Sequence, residues 1–252
     1  MLLRCKSTPY HSWYRAKLKT LKELRSRFGT VRTLRHAAFR LINRFLYFDC
    51  LHIIVLERDN IKPLDPDKTH RLSTKIATLH DLKEMERQGC WHIHQTKFEY
   101  FNQGDACLLS YVENELAGYT WTHTNGCPEL VPGLRLSVPH EYLYNFAGFT
   151  HPNYRGYGLQ AFRHYALLNN HRWKDRKGLL GFVVHTNYSS KRGQDKSGYQ
   201  LKGKIWLIGS KSYFHAFIGK NLRVMGIKRI DRNHKSNSTP SNREKRLQFL
   251  FL

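Results

Sequence analysis

The residues of this chain best suited to chemistry lie where Phe149-Thr150-His151-Pro152 gives way to Arg155-Gly156-Tyr157-Gly158-Leu159-Gln160. Gly156 and Gly158 have no Cβ, so the backbone can approach an anion closely, and the first N–H groups of a following helix can point at it. Arg155 adds a planar, permanently charged fork that matches phosphate oxygens. These residue types in this order make a phosphate cradle.

A cradle needs a strand before it and a helix behind it, and the flanking pattern supplies both. Leu159, Phe162, Tyr165, Ala166 and Leu168 recur at helical spacing and predict a helix over 159–172, while residues 178–185 read as a buried strand. Asn187, Ser190, Lys196, Gly198 and Tyr199 predict a second helix, capped by Asn187 and stopped at Gly198, with another strand after it. Upstream, residues 105–121 read as two strands joined by a tight turn at Asn114, and residues 75–82 as a strand running into a helix.

These segments together resemble the GNAT superfamily of acyl-CoA N-acyltransferases over about residues 70–230. The family's Q/R-x-x-G-x-G/A motif is matched by Arg155, Gly156, Tyr157, Gly158 and Leu159, with Gln160 at the last, usually small, position. Its second pattern is matched by Asn187, Ser190, Lys196, Gly198 and Tyr199. Gln194 stands where many members carry the Tyr that protonates the departing thiolate.

The resemblance implies an α/β fold: a mixed, mostly antiparallel sheet with flanking helices and a splayed central strand pair. It also implies acetyl-CoA as co-substrate, a primary amine on a small molecule or protein as acceptor, and direct attack of that amine on the thioester. By position, Ala147, Phe149 and Thr150 would meet the acyl and pantetheine portions. Arg155, Gly156, Tyr157, Gly158 and Leu159 would hold the pyrophosphate, and Asn187 and Ser190 would lie beside the pantetheine arm. Gly148 favours a bulge that would free backbone groups for the ligand. The resemblance also implies Glu141 as the base, because some family members carry a catalytic Glu early in this strand, and strict alternation would put it on one face with Leu143, Asn145, Ala147 and Phe149. Tyr188 and Tyr199 are the substitute acids by proximity alone, with Tyr199 the one expected at the site. The acceptor pocket is expected from residues 85–104 and 122–141. Two alternatives stand: longer acyl chains taken from acyl-CoA or an acyl carrier protein at a membrane surface, and a catalytically silent module binding nucleic acid or lipid.

The formal net charge is +23, from 42 Lys and Arg against 19 Asp and Glu, and it is concentrated at one end. Residues 1–46 hold twelve Lys and Arg against Glu23 alone. Tyr14, Leu18, Leu21, Leu24 and Phe28 share one helical face, Gly29 interrupts, and Val31, Leu34, Ala38, Leu41, Ile42 and Phe45 share another. Such stripes can pack on the domain, lie on an anionic membrane surface or dock an acyl carrier protein. Nucleic acid is a weaker fit, because no nucleic-acid-binding motif accompanies the charge. Residues 45–56 read as a strand ahead of the transferase sheet, giving an extension over 1–69, a domain over 70–230 and a polar, mobile tail over 231–252.

No run of about 18 apolar residues predicts a membrane span, and no signal peptide is expected at Met1. Five cysteines without a C-x-x-C pair suit thiols in a reducing cytoplasm. Cys90, His92 and His94 alternate, but with no fourth ligand in sequence no metal is expected. The chain lacks H-E-x-x-H, G-x-S-x-G and G-x-x-x-x-G-K-[ST], so metalloprotease, serine hydrolase and P-loop chemistry have no defining residues here.

Overall fold

The computed structural model describes residues 24–89, 95–123, 128–131, 134–210 and 214–230. In chain order these give α1 (Thr30–Phe45), β1 (Tyr47–Glu57), α2 (Pro66–Thr69), β2 (Leu72–Ile76), α3 (Leu79–Arg87), α4 (Gln95–Asn102), β3 (Ala106–Val112) and β4 (Glu115–His123). There follow β5 (Glu129–Val131), β6 (Leu134–Leu136), β7 (Tyr142–Thr150), α5 (Leu159–Asn169), β8 (Gly178–Val184), α6 (Tyr188–Ser197), β9 (Gln200–Gly209), β10 (Phe214–Ile218), α7 (Lys220–Val224) and β11 (Arg229–Ile230).

Eight strands form one sheet in the order β10-β9-β1-β8-β7-β4-β3-β2, and β11-β6-β5 form a smaller one. Every neighbour in the large sheet is antiparallel except β7 and β8. The turn between β3 and β4 has Glu113 at φ 48 and Asn114 at φ 69, the double left-handed geometry whose twist matches a hairpin. Thr78 and Asp81 close a capping box at the start of α3, which ends the β2 segment and orients the helix. The hairpin, the β2–α3 passage and the strand, loop, helix, strand run follow the sequence expectation.

One strand departs from it. β1 does not precede the sheet but lies inside it, paired with β8 from Leu51↔Val184 to Glu57↔Gly178 and with β9 along its other edge. The run Ile53-Ile54-Val55-Leu56 is buried on both faces, as a central strand requires. The strand therefore belongs to the domain rather than to the basic extension.

Two cores sandwich the sheet. On one face Leu51, Ile53, Val55, Leu180, Ile205 and Leu207 meet the small sheet and α7; on the other, Ile54, Leu56, Leu108, Leu143 and Leu179 meet α5. Truncating one of these buried aliphatics to Ala would cost about 2–5 kcal/mol. The smaller elements α4, β5 and β6 occupy parts of the stretches expected as acceptor loops. Residues 1–23, 90–94 and 231–252, with Tyr14, Leu18, Leu21, Cys90, His92 and His94 among them, lie outside the described residues.

Candidate active site

β8 is paired with β1 along its whole length, but β7 stays with β8 only from Tyr142↔Gly178 to Tyr144↔Leu180. Beyond that point the two strands diverge, β7 continuing beside β4 as far as Gly118↔Thr150. A bulge accompanies the divergence: Phe146 pairs with Trp121 and Phe149 with Tyr119, so Ala147 and Gly148 together oppose Thr120. The left-handed residue of the bulge is Ala147, at φ 46, and not Gly148. A non-glycine residue there carries strain of about 1–3 kcal/mol, the kind of cost that collects at functional sites. Ala147 and Gly148 are exposed, so their backbone groups at the fork are within reach of a ligand.

The bulge also resets the faces. Up to Asn145 the strand alternates as expected, with Leu143 buried under α5, but Phe149 ends on the opposite face, stacked on Tyr119. The expected single face for Glu141, Leu143, Asn145, Ala147 and Phe149 is therefore broken, because two residues of β7 share one partner. Thr150 returns toward α5, where its Oγ1 accepts a 3.0 Å bond from Arg163 Nη2.

The loop after β7 holds Gly156 at φ 97 and Gly158 at φ 77, and open space surrounds the position a Cβ would take at either. Gly158 sits at the N-cap of α5 and has no side chain to cap the helix, so the N-cap residue leaves the first N–H groups of α5 to another acceptor. Leu159 is buried with Leu72, Val112 and Ala117 and anchors the helix start. Tyr157 is exposed, its ring edge-on to Tyr154. Arg155 reaches the surface, where the surrounding protein and then the Arg27 guanidinium lower its pKa. Gln160 reaches across to α6: a Cβ at Gly193 would lie 2.3 Å from its Oε1, so Gly193 makes room for the larger residue.

At the start of α6, Asn187 Oδ1 accepts a 3.0 Å bond from Ser190 N, the expected cap. Tyr188 packs against Phe28 and lies under the Arg32 guanidinium, so the basic segment that leads into α1, with the first turn of α1, borders this helix. Gln194 Oε1 is buried with no hydrogen-bond partner among the described residues. An orphaned acceptor of this kind costs about 1–3 kcal/mol unless a ligand supplies a donor.

Sequence reasoning missed a buried polar cluster beneath α5. Thr120 Oγ1 donates to Asn145 Oδ1 at 2.6 Å, Asn145 Nδ2 lies 3.0 Å from His164 Nε2, and Tyr199 bonds Asn145 and packs edge-on to His164. Burial, and then the nearby Arg163 charge, push His164 down to about 3, so it is neutral. Burial pushes the Tyr199 phenol well up. With its phenolic oxygen engaged by Asn145 and its ring buried against His164, Tyr199 is better suited to holding β7 than to meeting a thiol. Arg163 is buried beside this cluster, bonded to the hydroxyls of Ser110 and Thr150, and burial brings it down to about 10. A helical stripe gives no hint of these roles, since His164 and Arg163 read as polar positions.

Glu141 is exposed just before β7, where its carbonyl accepts from Lys177 N. It lies three residues before Tyr144, about 10 Å from the point of divergence on the closed side of the fork. His123 stands opposite Tyr144, at the divergence itself, with Nδ1 against the buried Asp105 carboxylate. His151 accepts from Asn153 N and shapes the turn after β7.

No family model and no curated protein matches the sequence. Among solved structures, the chain is similar to a GCN5-related N-acetyltransferase from Kribbella flavida at 12% identity, covering 69% of this chain and 63% of that one with a TM-score of 0.44. It is similar to an acetyltransferase of the GNAT family from Colwellia psychrerythraea at 11% identity, covering 70% and 61% at 0.44. A GCN5-related N-acetyltransferase-like protein from Streptococcus suis 89/1591 is 10% identical, with 73% and 68% covered at 0.42. The chain thus spans less than two thirds of the first two. Independently of these distant likenesses, the mostly antiparallel sheet, its single parallel pair opening at Tyr144 and Leu180, and the glycine loop entering α5 give the domain a GNAT-like fold.

Proposed function

We propose that the protein is an acyl-CoA-dependent N-acyltransferase that moves an acetyl group from acetyl-CoA to a primary amine. The observation that carries this reading is the open β7 edge, bulged at Ala147, leading into an uncapped helix start at Gly158. A pyrophosphate would take the N–H groups at the start of α5 with Arg155 beside it. The pantetheine amides would pair with the exposed backbone of the bulge at Ala147 and Gly148, beside Phe149, and one would donate to the orphaned Gln194 Oε1. Asn187 and Ser190 would border the arm from α6, their cap leaving the Asn187 amide nitrogen available.

Attack by a neutral amine forms the C–N bond, breaks the C–S bond and releases a proton from nitrogen. His123, its ring held by Asp105, is the group at the divergence suited to take that proton, directly or through water. Glu141 lies on the closed side and is not given that role. With Gln194 in place of a phenol, the sulfur leaves as a thiolate, which a thiol's modest pKa permits. The test is release of free thiol from acetyl-CoA and longer acyl-CoAs with a panel of amines. Amine-dependent release supports the reading, and preference for long chains would replace acetyl by a longer group. Binding of acyl-CoA with no turnover would leave a silent module.

A second reading concerns α1. Supporting it, Val31, Leu34, Leu41 and Phe45 are 79%, 65%, 63% and 83% exposed, while Arg32, Arg35, Arg40 and Arg44 share the helix. An apolar stripe flanked by arginines suits an anionic membrane surface. Vesicles with acidic lipids should retain the protein and release it toward about 0.5 M salt, where the Debye length is roughly 4 Å. Retention on neutral vesicles, or none on acidic ones, would reject this.

A further inference from the structure

A cluster of one Cys and two His side chains lies outside the fork, on the face of the sheet covered by α1 and α6. Cys50 and His52 alternate on β1 and project from the same face. His185 follows β8 and is tied to β1 by its N–H, which donates to the Cys50 carbonyl at 2.8 Å. One ligand atom from each of the three lies within 4.8 Å of the others. His52 Nε2 and His185 Nδ1 are 2.8 Å apart, and Phe39 of α1 packs its ring on His185. His185 is only 7% exposed, and its Nε2 is buried with no partner among the described residues.

We propose that Cys50, His52 and His185 form a binding site for a borderline-soft divalent metal ion of the zinc class. One thiolate and two imidazoles make a donor set such an ion prefers, and among the described residues no carboxylate joins the cluster to suit magnesium or calcium. Tetrahedral zinc holds such ligand atoms roughly 3.3–3.8 Å apart, so the imidazole nitrogens open by about half an ångström and the sulfur closes in by up to about 1 Å. The paired strands carry all three backbones and need not rearrange. Binding forms one metal–sulfur and two metal–nitrogen bonds, and the Cys50 thiol proton passes to solvent. The proton shared between His52 Nε2 and His185 Nδ1 moves to a far ring nitrogen, and no oxidation state changes.

Charge shapes what else the ion would hold. Arg35 of α1, Lys191 of α6 and Lys204 of β9 all act on this cluster, with Lys191 Nζ 3.4 Å from His185 Nδ1. With one thiolate, a dication leaves a net positive centre among three cations. The fourth coordination position therefore suits an anion such as hydroxide, chloride or a carboxylate, and the cations weaken the empty site for the bare ion.

The experiment is titration of the metal-stripped full chain with Zn(II) against a chromophoric chelator, repeated with Co(II) for its thiolate-to-cobalt absorption. One equivalent should bind, the Co(II) form should show that absorption, and Mg(II) should not compete. Cys50→Ser should abolish the absorption and weaken zinc by more than the roughly 100-fold that loss of an outer-shell partner costs. Cys90→Ala should leave both unchanged, while Lys191→Met should tighten zinc. If Cys50→Ser does not fold by circular dichroism, His52→Gln on the same strand serves instead. A parent chain without the absorption, or a folded Cys50→Ser or His52→Gln chain binding zinc as tightly as the parent, would overturn the site.

Discussion

The two edges of β8 behave differently although they belong to one strand. Toward β1 the pairing runs unbroken for seven residues; toward β7 it ends after three. The closed edge is made by an apolar run buried on both faces, so each residue of β1 gains by staying in register. The open edge belongs to a strand that spends a residue on a bulge and turns its next aromatic to the other face. Stability is thus concentrated on one side of β8, and backbone groups free to meet a ligand on the other.

If chemistry belongs to the open side, the largest effect should come from the histidine at the divergence. His123→Gln should lower kcat for amine acetylation about 10²–10⁴-fold without weakening acyl-CoA binding, while Glu141→Gln should leave kcat unchanged. Steady-state kinetics on both variants decide between them, and the reverse pattern would return the base to the closed end.

The buried cluster that fixes β7 predicts a pH response. His164 has a folded pKa near 3 against 6.5 unfolded, so the unfolded chain binds the extra proton between these values. Stability from this residue is present above pH 6.5 and is lost as pH falls toward 3, by up to roughly 5 kcal/mol in the limit. Urea unfolding at stepped pH should show that slope, and His164→Gln should flatten it. An unchanged slope would mean that the site does not stay neutral.

Two glycines sharpen the contrast between the edges. A Cβ at Gly178 would lie 2.2 Å from the Leu56 carbonyl, backbone that cannot swing aside, so Gly178→Ala should cost about 1–3 kcal/mol of stability and leave acyl-CoA affinity intact. Gly158 has open space, so Gly158→Val should cost about 1–2 kcal/mol in backbone strain and weaken acyl-CoA more than roughly tenfold. Denaturant curves and calorimetry on the pair separate the two effects. Smallest is Asn187→Ala, expected to lose about 1 kcal/mol with the cap; a KM for acyl-CoA that rises beyond this would give Asn187 contact with the arm.

Much of this was legible in the sequence, because the informative features are local. The glycine loop, the capped α6 and the hairpin at Asn114 each declare themselves within a dozen residues. The place of β1 was not, since strand order depends on partners more than a hundred residues away, although its unbroken apolar run carries the mark of a central strand. The face of Phe149 was misjudged because alternation assumes no bulge, and the strain sits on Ala147, which nothing in its type announces. His164 and Arg163 were missed because a buried polar residue on an amphipathic helix looks like a solvated one until its partners are known. The exposed stripe on α1 shows the converse limit: apolar spacing gives a face and not what covers it.

The most direct test is amide hydrogen exchange of the full chain with and without acetyl-CoA. Binding should slow exchange in the segments 145–149, 156–161 and 181–184, the open edges and the helix start, and leave β1 and β9 unchanged. Saturable binding with protection confined to β1 and β9, or no binding at all, would contradict the placement of the acyl donor in the fork.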